Sequence, residues 1–121
     1  MGEGSVFKEI LLPIDLPNAA TQAHALKCAL TEAKAYGARL HVMTVVPEFG
    51  SSLVGSFFPP DAEQKALDEA NKRLHAYVKD SVPAGIDVQH VVAHGTVYEE
   101  ILRVAKDVGA DLIVMASHRQ L

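Results

Sequence analysis

A single cysteine, Cys28, stands in 121 residues. No intramolecular disulfide can form, which excludes a disulfide-built secreted scaffold and suits a reducing, cytoplasmic setting. No apolar run approaches the roughly 18 residues of a membrane-crossing helix, so no membrane association is expected. The opening Met1-Gly2-Glu3-Gly4-Ser5 lacks the basic start and long apolar core of a signal peptide. Basic charge is scarce as well: Lys+Arg number 11 against 15 Asp+Glu, for a net charge of -4. A mildly acidic domain repels a phosphate backbone, so nucleic acid is not an expected partner. A local site for one small phosphate ligand remains compatible with that balance. Neither a Walker A sequence nor a G-x-G-x-x-G occurs, so the two commonest phosphate loops are missing. Internal repeats and low-complexity tracts are missing too.

What is present is the mix of an ordinary globular protein, 49% apolar and 21% charged. The length suits a single domain over residues 1–121. Val6 to Ile14, centred on Ile10-Leu11-Leu12, reads as a buried strand. Asn18 is placed to cap a helix whose Ala23, Leu26, Leu30 and Ala33 share one face, and Gly37 ends it. Within that helix Cys28 reads as a buried, inert thiol. Arg39 to Val46 is the second strand. Pro47 to Pro60 is a long loop, apolar for its kind, and reads as a flap over a ligand or partner, or as a self-packed loop. Asp61 and Gln64 suggest a capping box for a helix reaching Ser81, with Leu67, Ala70, Leu74 and Tyr77 inward. Ile86 to Ala93 is the third strand. Thr96 and Glu99 suggest a second capping box, followed by Val97, Ile101, Val104, Ala105 and Val108 on one helical face. Asp111 to Ala116 is apolar enough for a strand buried on both sheet faces. The order β-α-β-α-β-α-β predicts an α/β, three-layer sandwich around an open, mostly parallel sheet.

Ligands of such sheets bind beyond the carboxyl ends of the strands. Pro13-Ile14-Asp15, Val45-Val46-Pro47, His94-Gly95-Thr96 and Ala116-Ser117-His118-Arg119 occupy those ends. Asp15 has two readings: an acceptor for a ribose or exocyclic amine, or an acid facing a helix dipole. Arg119 and His118 have the chemistry to meet a phosphate, or form a solvated cluster. A receiver-type phosphoacceptor is excluded because the third strand ends in His94-Gly95-Thr96 rather than an Asp. A triad of Ser117, His118 and Asp15 is set aside, since no G-x-S-x-G elbow is present. His90 and His94 share a strand face, with His41 a candidate neighbour, but no Cys or carboxylate stands at ligand spacing, so no metal is expected.

The segments together resemble the universal stress protein family. Lys8-Glu9-Ile10-Leu11-Leu12-Pro13-Ile14-Asp15 is similar to its K-x-I-L-x-P-x-D opening strand. Leu40 to Pro47 resembles its second strand, and Ala93-His94-Gly95-Thr96, continued by Val97 and Ile101, its third-strand turn. Asp111 to Arg119 resembles D-L-I-V-M-G-S-H-G. The resemblance implies strand order 3-2-1-4, as in adenine nucleotide alpha hydrolase-like folds. It also implies an ATP or other adenine nucleotide site, with Mg as a companion ion. The contacts carried over are Pro13, Ile14, Asp15 and Val45, then Met115, Ala116, Ser117, His118 and Arg119.

Two departures accompany the likeness. Ala116 and Arg119 stand where the family's phosphate loop has its first two glycines, as in the F/G-type branch. The loop's remainder, a fourth helix and a fifth strand fall beyond Leu121, so the resemblance implies a C-terminally incomplete domain. The expected function is a nucleotide-binding regulatory module in stress response, acting as a homodimer. Slow ATP hydrolysis or autophosphorylation is at most a side activity, with no catalytic residue assigned. The alternative is a dimeric interaction protein of the same fold that binds no nucleotide.

Overall fold

The computed structural model describes residues 7–47 and 61–116. The expected flap, apart from Pro47, lies outside the described residues, as do Val6, Ser117, His118 and Arg119. Four parallel strands form one sheet in the order β3-β2-β1-β4. They are β1 (Glu9–Pro13), β2 (Arg39–Val46), β3 (Val88–His94) and β4 (Leu112–Ile113). Between them run α1 (Ala23–Tyr36), α2 (Ala62–Ser81) and α3 (Val97–Val108). This is the expected α/β architecture and strand order.

Strand alternation sorts the core into two layers. Ile10, Leu12, Leu40 and Val42 pack with Ala25, Ala29 and Ala33 of α1 and Leu74 and Val78 of α2. Leu11, Met43 and Ala93 pack on the opposite face with Ile101 and Val104 of α3. Ile10, Leu11 and Leu12 are all fully buried because β1 has strands on both sides and helices on both faces. The buried row of α1 is Ala25, Ala29 and Ala33; Leu26 and Leu30 flank it and Ala23 is exposed. Alanine in that row lets the helix approach the sheet closely. Cys28 is only half-buried, its Sγ 3.6 Å from His24 Nε2, rather than sequestered as the sequence suggests.

Several local expectations are corrected. Asn18 does not cap α1; it lies inside a 3-10 segment, Leu16–Gln22, that precedes it. Neither Asp61 nor Thr96 makes a side-chain capping bond. Asp61 pairs with Lys65 at 3.1 Å and Gln64 donates to Asp68 at 3.0 Å, so neither reaches back to the helix start. The fourth strand is not buried on both faces. Leu112, Val114 and Ala116 pack inward, whereas Ile113 and Met115 are 37% and 50% exposed. Among the described residues β4 pairs only with β1, which leaves its outer side uncovered.

Gly37 and Gly109 end α1 and α3 at φ 63° and 66°, in the left-handed conformation that a Cβ disfavours. Asp111 fastens the start of β4 to β1. Its carboxylate accepts the Lys8 and Glu9 amides at 2.7 and 2.9 Å, and its own amide donates to the Glu9 carbonyl at 2.8 Å. These backbone bonds hold the Asp111 carboxyl below its ordinary range.

Candidate functional site

A cavity of about 590 Å³ opens at the carboxyl end of β1 and β2. Pro13, Ile14 and Asp15 enter it from the end of β1, and Met43 to Pro47 from β2. Met115 and Ala116 close it beyond β4, and Val97 and Ile101 reach it from α3. It therefore sits where helices leave the sheet on opposite faces, the crevice that open parallel sheets provide for ligands. Among the described residues, all six of the residues expected to bind a ligand (Pro13, Ile14, Asp15, Val45, Met115 and Ala116) line this one cavity. The remaining three, Ser117, His118 and Arg119, fall outside the description.

The walls are mostly aliphatic, with polar groups at few positions. Thr44 and Gln22 are buried, at 5% and 4% exposure. The Asp15 amide donates to Gln22 Oε1 at 3.3 Å, and the Ile14 amide donates to the Met43 carbonyl at 2.7 Å. Asn18 donates its side-chain amide to Asp15 Oδ2 at 2.9 Å and its backbone amide to the Asp15 carbonyl at 2.9 Å. Asp15 stands at the N-cap of the 3-10 segment and also borders the cavity, a position that fits both readings of its carboxylate. The carboxylate makes no capping bond to the 3-10 segment; it is exposed and borders the cavity.

A further wall, contributed by α2, was not anticipated from the sequence. Ala66, Glu69, Ala70 and Arg73 of α2 line the cavity on the side facing β2. Their three- and four-residue steps form a stripe beside the buried face of α2. Ala70 belongs to both stripes, and Glu69 and Arg73 pass for ordinary solvent-facing charges in a sequence.

Among the described residues, His41, His90 and His94 do not come together as one group. His90 stacks on His75 of α2, and His94 Nδ1 lies 3.4 Å from Glu63 on the same side of the sheet. His41 points to the other face, where its Nε2 is 2.7 Å from Glu9 Oε1. Strand alternation separates His41 from the other two: it stands opposite Gln89, not opposite His90. Among the described residues no three His, Cys, Asp or Glu side chains come together as metal ligands would. No described helix is long and apolar enough to cross a membrane.

Comparison with known proteins adds a family to this geometry. Universal stress protein MJ0577 of Methanocaldococcus jannaschii is 31% identical over 61 residues, which is 50% of this chain and 38% of that protein. The matched stretch thus spans well under half of that relative. The solved structure of MJ0577 superposes with a TM-score of 0.76 at 27% identity, covering 95% of this chain and 78% of the other. A universal stress protein family member from Burkholderia pseudomallei gives 0.70 at 29%, covering 95% and 85%. A more distant fold relative, at 24% identity and TM-score 0.52 over 90% and 71%, is a universal stress protein solved in complex with cAMP. The universal stress protein family model matches residues 7–121, nearly the whole length. With the sheet order, the crevice and these matches in agreement, the chain belongs to the universal stress protein family.

Proposed function

We propose that this protein is an adenine nucleotide-binding regulatory module, with the base and ribose held in the cavity at the ends of β1 and β2. The observation that carries the reading is the convergence of Pro13, Ile14, Asp15, Val45, Met115 and Ala116 on that one cavity. Its volume and aliphatic lining suit a compact ligand with a flat apolar portion, and a small number of polar groups fix orientation. Ile14, Val45 and Met115 offer surface to a base. The Asp15 carboxylate offers acceptors to ribose hydroxyls or an exocyclic amine. The cAMP complex of a distant fold relative supports a nucleotide as the class of ligand. ATP is the proposed nucleotide, with Mg accompanying its phosphates. Ser117, His118 and Arg119 are the proposed phosphate-side residues. The proposed setting is the cytoplasm and the proposed assembly a homodimer, with nucleotide favouring one state by binding it more tightly. Slow hydrolysis or autophosphorylation would be a side activity.

One observation favours the alternative, a dimeric interaction protein that works without nucleotide. Tyr98 and Leu102 of α3 are 70% and 60% exposed, one helical turn apart. The deciding experiment is to denature the purified protein and identify released small molecules by chromatography with mass detection. An adenine nucleotide near one per chain is the expected result. Its absence, together with no binding of added ATP, AMP or adenosine, overturns the nucleotide reading and favours the interaction protein.

A further inference from the structure

We propose that Arg73, in the middle of α2, is the residue by which the cavity recognises an anionic group on its ligand. The inference rests on the nucleotide reading and extends it to a wall that the family resemblance did not assign. Among the described lining residues the charged ones are Asp15, Glu69 and Arg73. Arg73 is thus the described cation of a cavity that otherwise carries two carboxylates. Among the described lining residues, a phosphate entering without it would meet no cationic side chain.

The state of those three side chains strengthens the assignment. Asp15 is engaged by Asn18. Glu69 stands one turn before Arg73, a spacing at which an acid and a base on a helix pair readily. The same helix forms such a pair between Asp61 and Lys65 at 3.1 Å. On α3, Arg103 likewise binds Glu100 and Asp107 at 2.7 and 2.9 Å. Among the described residues Arg73 forms no ion pair, with Glu69 or with any other acid. Arg73 lines the cavity and its guanidinium is uncommitted to described partners; such a fork of donors can match a phosphate or carboxylate in two parallel bonds. Arg73 therefore makes the cavity select nucleotide over nucleoside.

The test is titration calorimetry of the protein and its Arg73→Gln and Arg73→Lys variants with adenosine, AMP and ATP. Arg73 is exposed, and adenosine affinity serves as the control for an intact cavity. Arg73→Gln is expected to weaken AMP and ATP about tenfold or more while leaving adenosine unchanged. Arg73→Lys is expected to recover part of the loss, since the charge returns without the fork. Added salt is expected to weaken AMP in the wild type more than in Arg73→Gln. Equal nucleotide affinities in wild type and Arg73→Gln overturn the assignment and leave the nucleotide reading standing. Equal losses for adenosine and AMP also overturn it, by showing a general disturbance of the cavity. Failure of all three ligands to bind the wild type overturns the nucleotide reading and this assignment with it.

Discussion

His75 of α2 and His90 of β3 stack face to face, with ring centroids 3.8 Å apart and planes 5° from parallel. The His75 Nδ1 donates to the Asn71 carbonyl at 2.9 Å, which fixes that ring on the helix. Burial lowers the His90 pKa from its ordinary value of 6.5, and the neighbouring His75 charge lowers it further. The unfolded chain therefore binds a proton at His90 more readily than the folded one. Stability is expected to fall as pH drops through 6.5 and to go on falling until the folded His90 itself is protonated. Denaturant midpoints measured from about pH 7.5 to about pH 5.5 should show that decline in the wild type and less of it in His90→Gln. Parallel profiles for the two proteins would remove His90 from the account.

The Asp111 carboxyl presents the same linkage at a lower pH. Its pKa lies below the ordinary 3.8, chiefly through the Lys8 and Glu9 backbone amides. A carboxyl with a lowered folded pKa stabilises above its unfolded pKa and loses that contribution as pH falls through the folded one. Asp111→Asn should lower the melting temperature near neutrality. The gap to wild type should narrow in acid below 3.8. A gap independent of pH would mean that the charge contributes nothing beyond side-chain shape.

Gly95 follows β3 at φ 143°, a conformation that side-chain-bearing residues rarely adopt. A Cβ built there would lie 3.3 Å from Glu100 Cγ and Oε2. Glu100 is itself held by Arg103 and does not yield freely. Gly95→Ala is expected to cost about 1–3 kcal/mol, read as a lower denaturant midpoint at constant slope. Adding Glu100→Ala should relieve the contact and leave the backbone part of the loss. Full recovery in the double variant would show that backbone conformation was not the cause.

Asp15→Ala should weaken adenosine and AMP alike by about tenfold, because a carboxylate acceptor is worth roughly 1.5–3 kcal/mol to a bound donor. This pattern differs from that of Arg73→Gln, in which only the charged ligands lose affinity. Isothermal titration with both ligands separates the two. An unchanged adenosine affinity would leave Asp15 without its assigned role.

The sheet was legible because its signals are local and redundant. Ile10-Leu11-Leu12 announces a central strand, and Gly37 and Gly109 stop helices where a left-handed residue is needed. The strand-end positions of Pro13, Asp15 and Val45 follow from the same pattern, which is why their cavity was anticipated. Three features were not legible for physical reasons. Asn18 is a good cap in isolation, but Pro17 and the hold of Asn18 on Asp15 favour a tighter 3-10 segment first. Ile113 and Met115 look like core residues because hydrophobicity in a strand does not say whether a described helix reaches over that part of the sheet. Glu69 and Arg73 reach the cavity because α2 packs across β2 and β3. Their position depends on how two distant segments cross, which no helical period encodes.

Gln22 ties the start of α1 to the rim of the cavity through the Asp15 amide. For the proposed ligand, that part of the rim is tied in place before binding. That stretch then adds little ordering cost to encounter, and changes to it are expected to show in how long a ligand stays more than in how fast it arrives.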